Sequence, residues 1–145
     1  LNVLIMSYSS DLATGFGRKV RNIIESPLHR KIFPRCVISP DTRAKDDFAL
    51  TEGGRCYAVG FDGVLTGRGA HLLLIDDPIK NAQSAASEAD EKFRRETYLS
   101  ATQTRLEPGG RILLVMTLWP GASFGSWVIE KDGGESFLTD TPVQC

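Results

Sequence analysis

At 145 residues the chain is long enough for one domain with a real core and too short for two comfortable ones. Hydrophobic residues at 41% and charged residues at 24% exclude a disordered or solvating chain, and a net charge of -1 excludes a global basic field that would announce nucleic acid. No run approaches a membrane span, and the start, Leu1 to Met6, lacks the basic flank and cleavage site of a signal peptide, so no membrane partner and a cytoplasmic location are expected.

Val3 to Met6 reads as a buried strand closed by the polar cluster Ser7 to Asp11. The first residue is not Met and the apolar run begins at once, from which a start in mid-domain is expected. Ser9 or Ser10 can cap a helix, and Asp11 in its first turn suits the helix dipole. Leu12, Phe16, Val20 and Ile23 then form one apolar stripe, which Pro27 stops. From Ser26 to Asp47 the spacing predicts mostly loop, with a short strand at Cys36 to Ser39. His29, Arg30, Lys31, Arg35, Arg43 and Lys45 collect there; such residues serve as DNA phosphate contacts, but a scattered basic run is more often a solvated face.

Phe48 to Leu50 and Tyr57 to Phe61 are predicted strands joined through Gly53 and Gly54, a hairpin signal. A glycine-rich stretch, Asp62 to Gly69, leads into Leu72, Leu73, Leu74 and Ile75, a run suited to a strand buried on both faces and stopped by Asp76, Asp77 and Pro78. Ligands gather at the carboxyl ends of strands in open α/β sheets, so this pair of acids is well placed to hold a metal and activate a water. Asp and Pro are also good punctuation after any strand.

A helix is expected from about Ser84 or Ser87 to Arg105, with Ser87 and Asp90 resembling a capping box. Asp90 with Arg94, Glu88 with Lys92 and Glu91 with Arg95 stand at i,i+4, acid first, while Phe93, Thr97 and Ala101 lie with Ala89 on the side that can pack on a sheet. Glu107 to Gly110 ends that helix, Ile112 to Met116 reads as a third buried strand followed by Thr117, and a short helix fits Phe124 to Glu130 before a turn at Asp132 to Gly134. Helical crossovers make the strands ending at Tyr8, Ile75 and Met116 parallel, so Ser7, Asp76, Asp77 and Thr117 should converge on one sheet edge. Cys36, Cys56 and Cys145, with only His29 and His71 beside them, form neither a zinc pattern nor a disulfide framework.

Taken together, Leu65 to Pro78, the charged helix, Thr104 to Gly110 and then Leu114 to Trp119 resemble the ATPase domain of tailed-phage terminase large subunits. Ser7 to Ala13 fits the strand-to-helix passage after the phosphate-binding helix of that family. The likeness is strong from Gly63 to Trp119 and loose over a divergent tail, 121–145. It implies a partial P-loop NTPase of RecA/ASCE type, a three-layer α/β sandwich with a mainly parallel central sheet, as one partial ATPase domain over 1–145. Leu72 to Asp77 would be a Walker B segment, with Asp76 supporting the Mg²⁺ of bound ATP through water and Asp77 standing where the catalytic carboxylate polarises the attacking water. Thr117 would be the coupling residue and Arg68 a candidate arginine finger. The cofactors implied are ATP and Mg²⁺. Implied partners are double-stranded DNA, the terminase small subunit, the portal protein and further copies in a ring, all in the cytoplasm of a bacterial host.

Three departures accompany the likeness. No G-x-x-x-x-G-K-[ST] occurs, so the loop that cradles phosphates is expected upstream of Leu1. The family often reads Arg-Trp-His after the coupling Thr, where this chain has Leu118, Trp119 and Pro120. The nuclease domain that follows in the family is also absent from the sequence. An inactive motor fragment, with Ile112 to Met116 as an exposed and sticky apolar edge, is therefore expected, and a non-catalytic prophage remnant or interaction module that keeps only the fold is the alternative. A response-regulator-like receiver also pairs acids after a strand, but the pair belongs to the first strand there and a further Asp and Lys should end later strands.

Overall fold

In the computed structural model, which describes residues 1–63, 69–120 and 122–133, the chain is an α/β fold on one six-stranded mixed sheet, mostly parallel. The strands are β1 (Asn2–Ser7), β2 (Ile38–Arg43), β3 (Asp47–Leu50), β4 (Arg55–Gly60), β5 (Ala70–Asp76) and β6 (Leu106–Val115). Their order is β2-β3-β4-β1-β5-β6. β1 pairs in parallel with β4 and β5, and β5 in parallel with β6, whereas the β3 pairings with β4 and β2 are antiparallel. Helices α1 (Ser10–Glu25), α2 (Pro27–Ile32), α3 (Ala82–Ala85), α4 (Glu88–Arg105) and α5 (Phe124–Asp132) complete the chain.

Each face of the sheet has its own core. Leu4, Met6, Leu73 and Ile75 pack with Tyr98 and Ala101 of α4 and Phe124 and Val128 of α5. Tyr98, Phe124 and Trp127 meet edge-on or stacked, and the Tyr98 hydroxyl donates to Asp132 Oδ2 at 2.6 Å, tying α4 to α5. Burial first, then that bond, pushes the Tyr98 phenol well above its ordinary value. On the opposite face, Ile5, Ile38, Phe48 and Cys56 pack with Phe16, Val20 and Ile24 of α1. Cys56 and Cys36 are free thiols, and burial, with Asp47 nearby, pushes Cys56 up to about 11. Cys145 lies outside the described residues.

Ser9 caps α1, its hydroxyl accepting the Leu12 N–H at 3.4 Å, and Asp11 stands in the first turn as expected. Phe16 and Val20 of the predicted stripe pack on the sheet, but the buried face is turned somewhat from it, with Ala13 and Gly17 buried, Ile24 packed and Ile23 61% exposed. Gly17 explains the rotation: a Cβ there would come within 2.6 Å of the Lys45 carbonyl oxygen, so only the glycine lets the helix sit this low on the sheet.

Pro27, expected only to stop a helix, also starts one. Ser26 accepts the His29 N–H at 3.3 Å and Pro27 occupies the first turn of α2, where a missing N–H costs nothing. The segment predicted as mostly loop therefore holds α2, and its strand lies at Ile38–Arg43 rather than Cys36 to Ser39, tolerating Pro40 because β2 is an outer edge. The hairpin through Gly53 and Gly54 forms as predicted, both glycines having positive φ.

After β5, the expected helix to Arg105 begins from the second of its two candidate starts, Ser87, and a separate short helix, α3, precedes it. Asn81 caps α3 by accepting the Ser84 N–H at 2.9 Å, and Ser87 caps α4 by accepting the Asp90 N–H at 3.2 Å. Phe93, expected to pack on the sheet, is half exposed, and the buried side of α4 carries Arg94, Tyr98 and Ala101. Arg94 can be buried because Nη1 donates to Ser84 Oγ at 3.0 Å and Nη2 donates to the Ser84 carbonyl at 3.0 Å and to Glu91 Oε2 at 3.2 Å. Of the expected i,i+4 pairs, Glu91 with Arg95 forms at 2.9 Å.

α4 ends at Arg105, and Leu106 is already extended and paired with Ala70. The helix is over before Glu107 to Gly110, as expected, and that segment forms an irregular insertion in β6 before Arg111 pairs with Leu72. β6 is not buried on both faces. It lies at the outer edge with alternating exposure, Leu113 at 49% and Val115 at 50%, since α4 and α5 cover only the side of Ile112, Leu114 and Met116. No helix among the described residues is long and apolar enough to cross a membrane.

Candidate functional site

Three adjacent parallel strands, β1, β5 and β6, end at one edge of the sheet, and this brings the acids to their setting. Ser7 stands opposite Asp76 in register, and Asp76 opposite Val115. Register partners in a parallel pair project to the same face, so Ser7, Asp76 and Val115 share the side that carries α1. Asp77 then turns out of the strand. Its φ of 45° is left-handed, a conformation Asp tolerates better than most residues, and its N–H donates to the Val115 carbonyl at 2.8 Å. That bond fixes the Asp76–Asp77 turn to the end of β6.

Asp76 is held above the ordinary carboxylate range, by burial first and by the negative charge of Asp77 second. One Asp77 oxygen, Oδ1, is buried with no hydrogen-bond partner, and the wholly buried Ser7 hydroxyl likewise has none. A divalent cation at this edge would relieve both the repulsion and the missing partners. Among the described residues no cluster of three or more His, Cys, Asp or Glu is arranged to hold a metal. Mg²⁺ is commonly held by one or two carboxylates with the rest of its shell water, whereas structural zinc takes four protein ligands.

Since desolvation and repulsion oppose the charged form, Asp76 weakens the fold when ionised. A folded value raised above the unfolded one contributes most stability while the group is protonated, and that contribution is lost as pH rises through the folded value. Asp76→Asn is thus expected to raise the Tm near neutral pH in the presence of chelator, with the gain shrinking in acid. Thermal melts at both pH values check this, and an unchanged or lowered Tm at neutral pH contradicts it.

A third acid beside this edge is already engaged. Asp62 Oδ1 accepts the Ser10 N–H and the Ser10 hydroxyl, each at 2.9 Å, while Ser10 Oγ accepts the Gly60 N–H at 3.2 Å. Asp62 thus neutralises the start of α1, where its negative charge complements the helix dipole. Spacing gave no hint of this contact, because Ser10 and Asp62 are 52 residues apart.

Thr117 follows β6 by two residues and is exposed, as is Leu118 at 65%. Trp119 is half-buried with its Nε1 lacking a partner. Arg68 lies outside the described residues. So the structure brings Asp76, Asp77 and Ser7 together and puts Thr117 just beyond the neighbouring strand.

Elsewhere, two members of the basic run are paired with acids. Arg35 pairs with Glu52 at 2.8 Å and Arg43 with Glu25 at 2.5 Å, while His29, Arg30 and Lys31 occupy the last turn of α2. Two cavities, of about 450 and 320 Å³, are lined by Ile32 to Cys36 with Leu50, Glu52 and Gly53, and by Lys80, Asn81, Gln83, Ser84, Ser87 and Asp90. Neither is lined by Asp76 or Asp77. No protein-family model matches this chain, and no curated protein matches it.

Proposed function

We propose that this chain is part of the ATPase motor of a phage terminase large subunit, which couples ATP hydrolysis to the packaging of double-stranded DNA into a procapsid. The observation that carries the reading is the pairing of Asp76 and Asp77 at the carboxyl end of β5, flanked in register by Ser7 on β1 and by β6, with Thr117 just beyond. Bound ATP would supply the γ-phosphoryl group, with Mg²⁺ neutralising its charge. Asp76, partly buried beside a second acid, is suited to hold the cation through water, and Asp77 is suited to orient a water. Thr117, beyond the strand next to Walker B, has the place of a residue that senses the state of the site. Arg68 completes the reading as the candidate finger toward a neighbouring subunit.

The outer edge of β6 adds support. No described strand pairs with it, and Leu113 and Val115 are half exposed on the side of α1. In the motor class this chain resembles, the phosphate-loop strand stands beside the coupling strand. The phosphate loop itself must come from outside these 145 residues, as no such motif is present. The fragment alone is therefore inactive in this reading, and its DNA, small-subunit, portal and ring contacts belong to the longer protein.

The second reading, a non-catalytic prophage remnant or interaction module, is favoured by Leu118 to Pro120. One measurement separates the two. Extended through the upstream phosphate-loop segment, the protein should bind ATP with Mg²⁺, and Asp76→Asn should weaken that binding at least tenfold, about 1.4 kcal/mol. An extended protein that binds no ATP with Mg²⁺ ends the motor reading.

A further inference from the structure

Ser7 is wholly buried, yet its hydroxyl has no hydrogen-bond partner. A buried hydroxyl left without one costs about 1–3 kcal/mol, and alanine, by removing the hydroxyl, would avoid that cost. On the α1 face Ser7 has two strand neighbours, Gly60 on β4 and Asp76 on β5. Glycine offers no side-chain acceptor, so on this face the carboxylate of Asp76 is the acceptor across the strand, about 4.8 Å away between backbones. The nearby Ser10 hydroxyl already donates to Asp62, and the Ser7 carbonyl already accepts the Phe61 N–H at 2.9 Å.

From this juxtaposition we infer that Ser7 is a positioning residue for Asp76, its hydroxyl donating to the Asp76 carboxylate when that carboxylate holds a divalent cation. The inference rests on reading Asp76 as the cation's support. Ser7 and Asp76 stand directly opposite each other on one face of adjacent strands, so their side chains are cross-strand neighbours. Partners of this kind fix the orientation of a ligating carboxylate, and their loss typically weakens metal binding 10- to 100-fold. The orphan hydroxyl is then a donor whose acceptor is the Asp76 carboxylate.

Mn²⁺, a paramagnetic substitute for Mg²⁺, tests this on the chain as it stands, by electron paramagnetic resonance of the free ion during titration. Wild type, Ser7→Ala, Ser7→Cys and Asp76→Asn are compared, together with metal-free thermal melts. Ser7→Ala and Ser7→Cys, the second of similar shape but a poor donor, should bind Mn²⁺ about tenfold more weakly than wild type. The metal-free Tm of Ser7→Ala should be unchanged or higher, since no hydrogen bond is lost. If both variants bind as tightly as wild type while Asp76→Asn does not bind, the role of Ser7 is overturned and the reading of Asp76 stands. A Ser7→Ala chain whose metal-free Tm falls while Mn²⁺ affinity holds assigns Ser7 a packing role and overturns the inference equally. If wild type binds no Mn²⁺, or Asp76→Asn binds as wild type does, the role of Ser7 is overturned, and ATP binding by the extended protein decides the reading of Asp76 separately.

Discussion

Glu91→Ala is expected to destabilise the chain by about 3–5 kcal/mol, lowering its Tm on the order of 10 °C. Glu91 is the charge partner of Arg94, which is only 3% exposed. It also accepts from Arg95 Nε at 3.0 Å and from the Ser123 hydroxyl at 3.0 Å, so one carboxylate joins the start of α4 to the start of α5. Alanine would leave the Arg94 guanidinium buried with only Ser84 as partner, and its Nε already has none. Breaking such a pair from one side costs far more than replacing it, so Arg94→Met should lose much less than Glu91→Ala. Chemical denaturation of both variants checks the order. Equal losses, or a loss below about 1 kcal/mol for Glu91→Ala, would show that the pair behaves as an exposed one.

Gly60→Ala should cost at least about 3 kcal/mol, the upper part of the range for overpacking a tight contact. An added Cβ would overlap the Ser10 nitrogen and the Ser9 carbonyl carbon, both backbone, as well as the Asp62 carboxylate. Backbone atoms cannot swing aside, so the start of α1 would have to lift off β4 and break the bonds among Gly60, Ser10 and Asp62. Because Gly60 stands opposite Ser7 in register, the disturbance reaches the edge that carries Asp76. Gly15→Ala serves as the control: it is helical and nothing lies within 4 Å of its added Cβ. There alanine should stabilise by roughly 0.5–1 kcal/mol through helix propensity. A Gly60→Ala chain as stable as the control would mean that α1 is not held as tightly as its contacts imply.

The candidate site was legible where it rested on local pattern. Four aliphatic residues ending in Asp76 and Asp77 announce a buried strand with acids at its end, and β5 spans Ala70–Asp76. Parallel pairing followed from the helices between strands, and it brings Ser7 beside Asp76. What could not be read was the state of each group there. The orphan Ser7 hydroxyl, the left-handed turn at Asp77 and the capture of Asp62 by Ser10 depend on residues distant in sequence. No spacing rule encodes such contacts.

The same division runs through the fold. By itself the sequence determined the strand-helix alternation, the Ser9 and Ser87 caps, the glycine hairpin and the parallel core, since periodicity, capping and turn chemistry act within a few residues. Only the tertiary structure decided which face each helix buries. Gly17 seats α1 against the Lys45 backbone, and Tyr98 with Arg94, rather than Phe93, turns inward on α4. It also decided that Pro27 begins a helix. Burial is settled by the shape and partners of the opposing surface, and a polar pattern cannot show that Arg94 meets Glu91 and Ser84 or that Ser7 meets nothing.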